Sequence, residues 1–88
     1  MKKEFSSIKR NRNTCITLLN SLLDKKVPVQ EVINKWPKDM GDDLVDTIYG
    51  LLFHYRDDED IRKKDLRYAD WQDDQIRELM LSLKIDLE

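Results

Sequence analysis

Apolar residues recur along the chain at spacings of three and four, which is the period of an α-helix with one buried face. The clearest such stripe predicts a central helix whose face carries Leu44, Val45, Ile48, Leu51, Leu52 and Tyr55. Period-two alternation is absent, and β-branched residues are scattered at helical spacing, so strands are not expected. The pattern predicts an all-α protein.

A first helix is predicted over residues 4–24, on a stripe formed by Phe5, Ile8, Cys15, Leu19 and Leu22. Arg12 interrupts this stripe, and residues 10–14 are polar on every side. Residues 4–12 would therefore fray more easily than residues 14–24, in which case Asn13 or Thr14 would become the N-cap.

A second, short helix is predicted between Pro28 and Pro37, because proline suits a first helical turn and disfavours helical geometry in the residue before it. Its apolar face carries Val29, Val32, Ile33 and Trp36. The central helix would follow, starting between Asp39 and Gly41. Gly50 lies inside it, and its presence there has two explanations, close approach by a neighbouring helix or chance.

Four consecutive carboxylates at residues 57–60 cannot all be buried, which indicates a surface corner. Asp65 is then a suitable N-cap for a last helix over residues 66–84. The predicted fold is thus a small up-down bundle of four helices, one of them short, forming a single domain over residues 1–86. The final pair, Leu87-Glu88, is typical of a cloning scar that precedes an affinity tag.

Composition agrees with long helices and short connections, since the 88 residues include only two Gly and two Pro. No apolar run reaches the roughly 18 residues of a membrane span, and no secretory signal is recognisable. Cys15 is the only cysteine and cannot form an internal disulfide. These features together predict a cytoplasmic protein without membrane association.

Charge is divided unevenly along the chain. Residues 1–26 contain seven cations and two anions, whereas residues 27–88 contain nine cations and sixteen anions. Two interpretations stay open, because segments of opposite sign can neutralise each other inside one fold or present themselves to partners of opposite charge.

No metal site or cofactor is predicted. A calcium loop that started at Asp57 would need glycine at its sixth position and glutamate at its twelfth, where the chain has Arg62 and Tyr68. Two further acidic groups lack the histidine that a helical-bundle metal site would use. Acids near the start of a helix are stabilised by its dipole, which explains both groups without a metal. The groups are Asp42, Asp43 and Asp46, and Asp70, Asp73 and Asp74.

No catalytic group is predicted either. His54 has neighbouring carboxylates but no nucleophile at a useful spacing, so it is interpreted as an exposed residue at a helix end. Cys15 lies on the apolar stripe of the first helix and is interpreted as a buried, inert thiol. Because no nucleophile, base and oxyanion set can be assembled, an enzyme is not expected.

The leading hypothesis is therefore a small protein-binding protein whose acidic helical surface contacts a basic partner protein. The predicted contact residues are Asp57, Asp58, Glu59, Asp60, Asp70, Trp71, Asp73 and Asp74. Over residues 58–69 the chain resembles short acidic helical bacterial proteins, toxin-neutralising proteins among them. The resemblance is in the general pattern of residue types, and no motif is shared. Adaptor, regulator and toxin-neutralising roles all fit such a surface.

Two alternatives belong to other classes. The basic N-terminal helix could bind nucleic-acid phosphates through Lys2, Lys3, Lys9, Arg10 and Arg12, although the overall balance of charge is acidic. The first helix could instead pair with its copy in a homo-dimer, through Phe5, Ile8, Cys15 and Leu19.

Overall fold

The structure is a computed structural model that describes residues 2–38 and 41–85, with side chains from Ile8 onward. Its helices are α1 (Lys2–Leu23), α2 (Val29–Lys35), α3 (Asp43–Asp57), α4 (Glu59–Lys64) and α5 (Leu66–Ile85). These described residues contain no strand, and the predicted all-α bundle is confirmed. A six-residue helix that was not predicted, α4, begins inside the predicted corner at Glu59 and continues to Lys64. The pair interpreted as a cloning scar lies outside the described residues.

One apolar core holds α1, α2, α3 and α5 together. Helix α1 packs against α2 and α5, α2 packs against α3, and α5 also contacts α3 and α4. The buried apolar residues are Cys15, Leu19, Leu22, Val32, Ile33, Trp36, Val45, Ile48, Leu52, Tyr55, Ile76, Met80 and Leu83. Four residues of the predicted stripe of α3 are therefore buried, whereas Leu44 is partly buried and Leu51 keeps 42% of its surface exposed.

None of the described helices is both long and apolar enough to cross a membrane.

Helix α1 is continuous from Lys2, so the alternative N-cap at Asn13 or Thr14 is not used. The Thr14 hydroxyl instead donates a hydrogen bond to the carbonyl of Arg10 inside the helix. The helix ends at Leu23, and Lys25, in the turn that follows, lies in the left-handed region at φ 61°. Lys26 N then donates to Ser21 O at 2.9 Å, which satisfies a carbonyl that the helix end would leave unpaired.

Helix α3 begins at Asp43, later than predicted, because Asp42 is its N-cap and has extended backbone geometry. Of the predicted starting region, residues 39 and 40 lie outside the described residues, and Gly41 is not helical. The predicted N-cap of the last helix is confirmed, since Asp65 Oδ1 accepts hydrogen bonds from the backbone N–H groups of Arg67 and Tyr68.

Gly50 has no neighbouring helix against it, because a Cβ added there would meet nothing within 4 Å. We expect Gly50→Ala to stabilise the fold by about 1 kcal/mol, since glycine is costly in a helix interior and this position has room for a side chain. Gly41→Ala is the matched control. It should destabilise by about 1 kcal/mol, because Gly41 has φ +67°. Urea unfolding measures both; a destabilised Gly50→Ala would contradict the open surroundings of this glycine.

Candidate functional site

The eight predicted contact residues lie at the end of α3, along α4 and on the first half of α5. The structure divides them into two groups. Asp58 and Asp73 are partly buried and bound by neighbouring side chains. The other six are Asp57, Glu59, Asp60, Asp70, Trp71 and Asp74, all exposed. We call these six the acidic end surface.

Asp58 is the centre of a hydrogen-bonded cluster that attaches α4 to the bundle. Its Oδ2 accepts hydrogen bonds from Tyr68 Oη at 2.7 Å and from Gln72 Nε2 at 3.0 Å. Arg62 Nη1 donates to Gln72 Oε1 at 2.9 Å and to the carbonyl of Tyr55. The Arg62 guanidinium also lies 3.6 Å from the centre of the Tyr55 ring, a cation–π contact. Asp58 thus stabilises the fold and is not free for a partner.

Asp73 is also bound within the chain. It accepts a hydrogen bond from Tyr55 Oη at 3.1 Å, and its other oxygen lies 3.9 Å from Lys25 Nζ. Burial, and secondly the nearby Asp73 carboxylate, raise the pKa of the Tyr55 phenol to about 12, so this phenol remains a neutral donor at physiological pH. The Lys25–Asp73 pair joins the basic N-terminal segment to the acidic remainder. Part of the uneven charge is therefore neutralised inside the fold.

The acidic end surface keeps a negative excess after its ion pairs are counted. Asp57 pairs with Arg56, Glu59 with Lys63 and Asp74 with Arg77, at distances from 2.8 to 3.8 Å. Such exposed pairs are worth little and exchange readily with other partners. With the pairing cations included, residues 56–77 contain eight carboxylates and six cations, so the balance of charge in this segment stays negative.

Trp71 is the large apolar member of this surface. Its side chain is 53% exposed, whereas the other tryptophan, Trp36, is only 2% exposed. The Trp71 ring lies 5.6 Å from the Tyr68 ring at a tilt of 33°, so one side of the indole is supported from within. Exposed tryptophan with firm support is typical of residues that anchor protein–protein contacts.

The basic set of α1 is smaller than the sequence suggests, because Arg12 is bound within the chain. Arg12 Nε lies 2.7 Å from Asp42 Oδ2, and Arg12 Nη2 lies 2.9 Å from Asp42 Oδ1. The hydrogen bonds from Arg12 are the main reason that the pKa of the Asp42 carboxyl is lowered. Sequence reasoning missed this pair. Lys9 and Arg10 stay exposed, and the side chains of Lys2 and Lys3 lie outside the described part.

The predicted homo-dimer relied on residues that are buried inside one chain. Cys15 and Leu19 have no exposed surface, since both pack in the core of the single bundle. The side chain of Phe5 lies outside the described part, and Ile8 is only partly exposed. Cys15 and Leu19 could contact a second copy only if the core opened, and the homo-dimer itself stays a prediction.

The candidate chemical groups stay apart from one another. His54 is exposed on α3, and Cys15 is buried in the core. Within residues 8–38 and 41–85, no three His, Cys, Asp or Glu side chains converge on a point where they could hold a metal ion. A groove of about 740 Å³ is lined by α4, α5, the α1–α2 turn and the adjoining ends of α2 and α3, and Glu59 and Asp70 of the acidic end surface form part of its wall. Five cations and three acids line this groove, so its wall does not share the negative excess of the acidic end surface.

Burial raises the pKa of the Cys15 thiol from an ordinary 9.0 to about 12, so the native chain should resist thiol reagents. With an aromatic disulfide reagent at pH 8, we expect reaction at least about a hundredfold slower in buffer than in urea, because both thiolate formation and access are suppressed. Absorbance of the released thiol measures the rate. Equal rates in the two solvents would show that Cys15 is accessible.

Comparison of the chain with models of known families, with curated proteins and with solved structures finds no match.

Proposed function

We propose that this chain binds another protein through the acidic end surface, and that the partner presents a basic segment to it. The observation that carries the proposal is Trp71, which is half exposed, supported by Tyr68 and followed at the next turn by the exposed Asp74. An aromatic anchor gives affinity, while surrounding carboxylates attract cations and increase the rate of encounter.

The role is binding without catalysis, as an adaptor, a regulator or a toxin-neutralising protein in the bacterial cytoplasm. Support comes from the separation of the chemically capable groups, since the exposed His54 and the buried Cys15 have no contact with each other in the described residues. Support for a basic partner comes from Asp60 and Asp70, which are exposed and make no ion pair within the described residues. Such carboxylates gain more from a partner's cations than paired ones do.

Affinity capture with matched variants tests the proposal. The full chain, a Trp71→Ala variant and an Asp60→Asn/Asp70→Asn variant serve as baits in an extract of the cell that makes the protein. An Asp43→Asn/Asp46→Asn variant is the charge control, because these exposed acids lie at the other end of α3. Leu51→Ala is the apolar control.

We expect a basic protein that the parent and both controls retain and that the Trp71 and Asp60/Asp70 variants lose. Purified partner should then bind less tightly as salt rises, because exposed charges are screened beyond about 10 Å at 0.1 M ionic strength. Capture that survives both surface variants, or affinity that is independent of salt, would refute the proposal.

Nucleic-acid binding by α1 is the second candidate, favoured by one observation. The exposed side chains of the described part of α1 include Lys9, Arg10, Asn13, Thr17 and Asn20 and no acid. A gel shift with mixed DNA and RNA at low salt tests it, with Lys9→Ala/Arg10→Ala as the matched variant. Absence of a shift at micromolar protein would remove this candidate.

A further inference from the structure

A regular stripe of exposed residues follows the outward face of α5. Its positions alternate at spacings of four and three, the heptad rhythm by which one helix packs along another. The six positions are Arg67, Trp71, Asp74, Glu78, Leu81 and Ile85, and all of them are exposed. They lie opposite the buried face that carries Gln72, Ile76, Met80 and Leu83. We call this stripe the outer seam; it extends along roughly 27 Å of helix.

We propose that the outer seam binds an α-helix of the partner, with cations at the centre of its contact face and apolar side chains on both sides of them. The inference rests on the proposed function, since it specifies which element the partner contributes. Amphipathic helices commonly bind along such a seam through anchors at heptad spacing.

The order of residues along the outer seam sets this pattern. Trp71 stands toward one end, and Leu81 and Ile85 form the other; all three expose more than half of their surface. Between these apolar ends lie Asp74 and Glu78. Asp74 already has a partner in Arg77 at 2.8 Å, whereas Glu78 makes no ion pair within the described residues. Glu78 is therefore the stronger attractor for a partner's cation.

A second copy of this chain does not fit the outer seam. Antiparallel pairing of two copies would place Trp71 opposite Leu81, which is favourable, but it would also place Asp74 opposite Glu78. Four carboxylates would then meet at the centre of the contact. Parallel pairing would place each of these acids opposite its own copy, which is equally unfavourable. Like charges at facing positions are destabilising, so the seam selects a different chain with cations there.

Two synthetic peptides test the inference. Each is a helical peptide of about 20 residues, with leucine at the positions that would face the two apolar ends of the outer seam. One carries lysine and the other glutamate at the two central positions. Fluorescence anisotropy of the labelled peptides measures binding to the full-length chain. We expect the lysine peptide to bind at least about fivefold more tightly than the glutamate peptide.

Variants of the chain make the test specific. Trp71→Ala should weaken binding of the lysine peptide about 30-fold, as expected for an interface anchor. Glu78→Lys should reverse the preference between the two peptides, while Leu51→Ala, which lies off the seam, should change nothing. Circular dichroism establishes that each variant is folded. All of these positions are exposed, so the fold should tolerate them.

The inference is overturned if neither peptide binds, if both bind equally, or if Glu78→Lys leaves the preference unchanged. These failures are distinguishable from failure of the proposed function. A partner whose capture depends on Asp60 and Asp70 but not on Glu78 or Leu81 would leave the acidic end surface as the binding site, and would show that the partner does not lie along the outer seam.

Discussion

Arg12→Ala is expected to destabilise the fold by about 3 to 5 kcal/mol, because it leaves the Asp42 carboxylate buried without its cation. The side chains of Arg12 and Asp42 are only 11% and 5% exposed, so water cannot replace the lost partner well. Two hydrogen bonds, at 2.7 and 2.9 Å, join them in a bidentate arrangement. Arg10→Ala, an exposed neighbour on the same helix, is the matched control and should cost less than about 0.5 kcal/mol.

Substitutions of Asp42 separate its two roles. Asp42 also accepts hydrogen bonds from the N–H groups of Leu44 and Val45 and so caps α3. Asp42→Ser keeps a capping oxygen and removes the charge, whereas Asp42→Ala removes both and should cost about 1 kcal/mol more. In the Asp42→Ser background, Arg12→Ala should cost much less than it does alone. Additive effects in this double-mutant cycle would show that the two residues are not coupled.

The same pair should make stability depend on pH. Because Arg12 lowers the pKa of Asp42 in the folded state, the unfolded chain binds the proton more readily. The stabilisation is therefore fully present above the unfolded pKa of about 3.9, and it is lost as pH falls through the folded value. Urea midpoints measured from pH 7 down to about pH 3 should fall less steeply for Asp42→Ser than for the parent. Parallel curves would mean that Asp42 does not contribute to acid sensitivity.

Sequence reasoning found the elements whose evidence is local. The apolar stripe of α3, the N-cap at Asp65 and the burial of Cys15 follow from spacing and residue type within one segment. The Arg12–Asp42 pair joins positions 30 residues apart. Within its own segment, Arg12 is merely an interruption of an apolar stripe and Asp42 merely an acid near a helix start. No pattern inside either segment predicts that each satisfies the other.

Helix α4 was not predicted, for a related reason. A short helix is predicted from an apolar face, and the only apolar residue of the Glu59–Lys64 segment, Ile61, is exposed. Arg62 attaches the helix instead, through Gln72 and the Tyr55 ring. Within the predicted surface corner Asp58 is partly buried, and Tyr68 and Gln72 donate hydrogen bonds to its carboxylate.

The candidate site was predicted from a count of charges, and a count cannot show which charges face one another. Asp58 and Asp73 satisfy side chains of their own chain, while Asp60 and Asp70 remain exposed. The regular spacing of the outer seam is present in the sequence. The exposure of this face cannot be predicted from the sequence, because which face of α5 is buried depends on how the other helices pack against it.

The two tryptophans should differ greatly in how much their substitution by alanine lowers the free energy of unfolding. Trp36 is buried and its Nε1–H donates a hydrogen bond to the carbonyl of Val45 at 3.0 Å, which ties α2 to α3. We expect Trp36→Ala to cost about 3 to 5 kcal/mol, since a large buried ring is replaced by a cavity. Trp36→Phe, which keeps most of the apolar volume but not the hydrogen bond, should cost about 1 to 2 kcal/mol.

Trp71→Ala is the matched control and should change the free energy of unfolding by less than about 0.5 kcal/mol. Urea denaturation followed by circular dichroism measures all three variants. A large loss of stability in Trp71→Ala would mean that this ring supports the fold, and loss of binding in that variant would then no longer indicate a contact. If stability is unchanged, the binding measurements on Trp71 report the partner surface directly, because the bundle that presents the indole is intact.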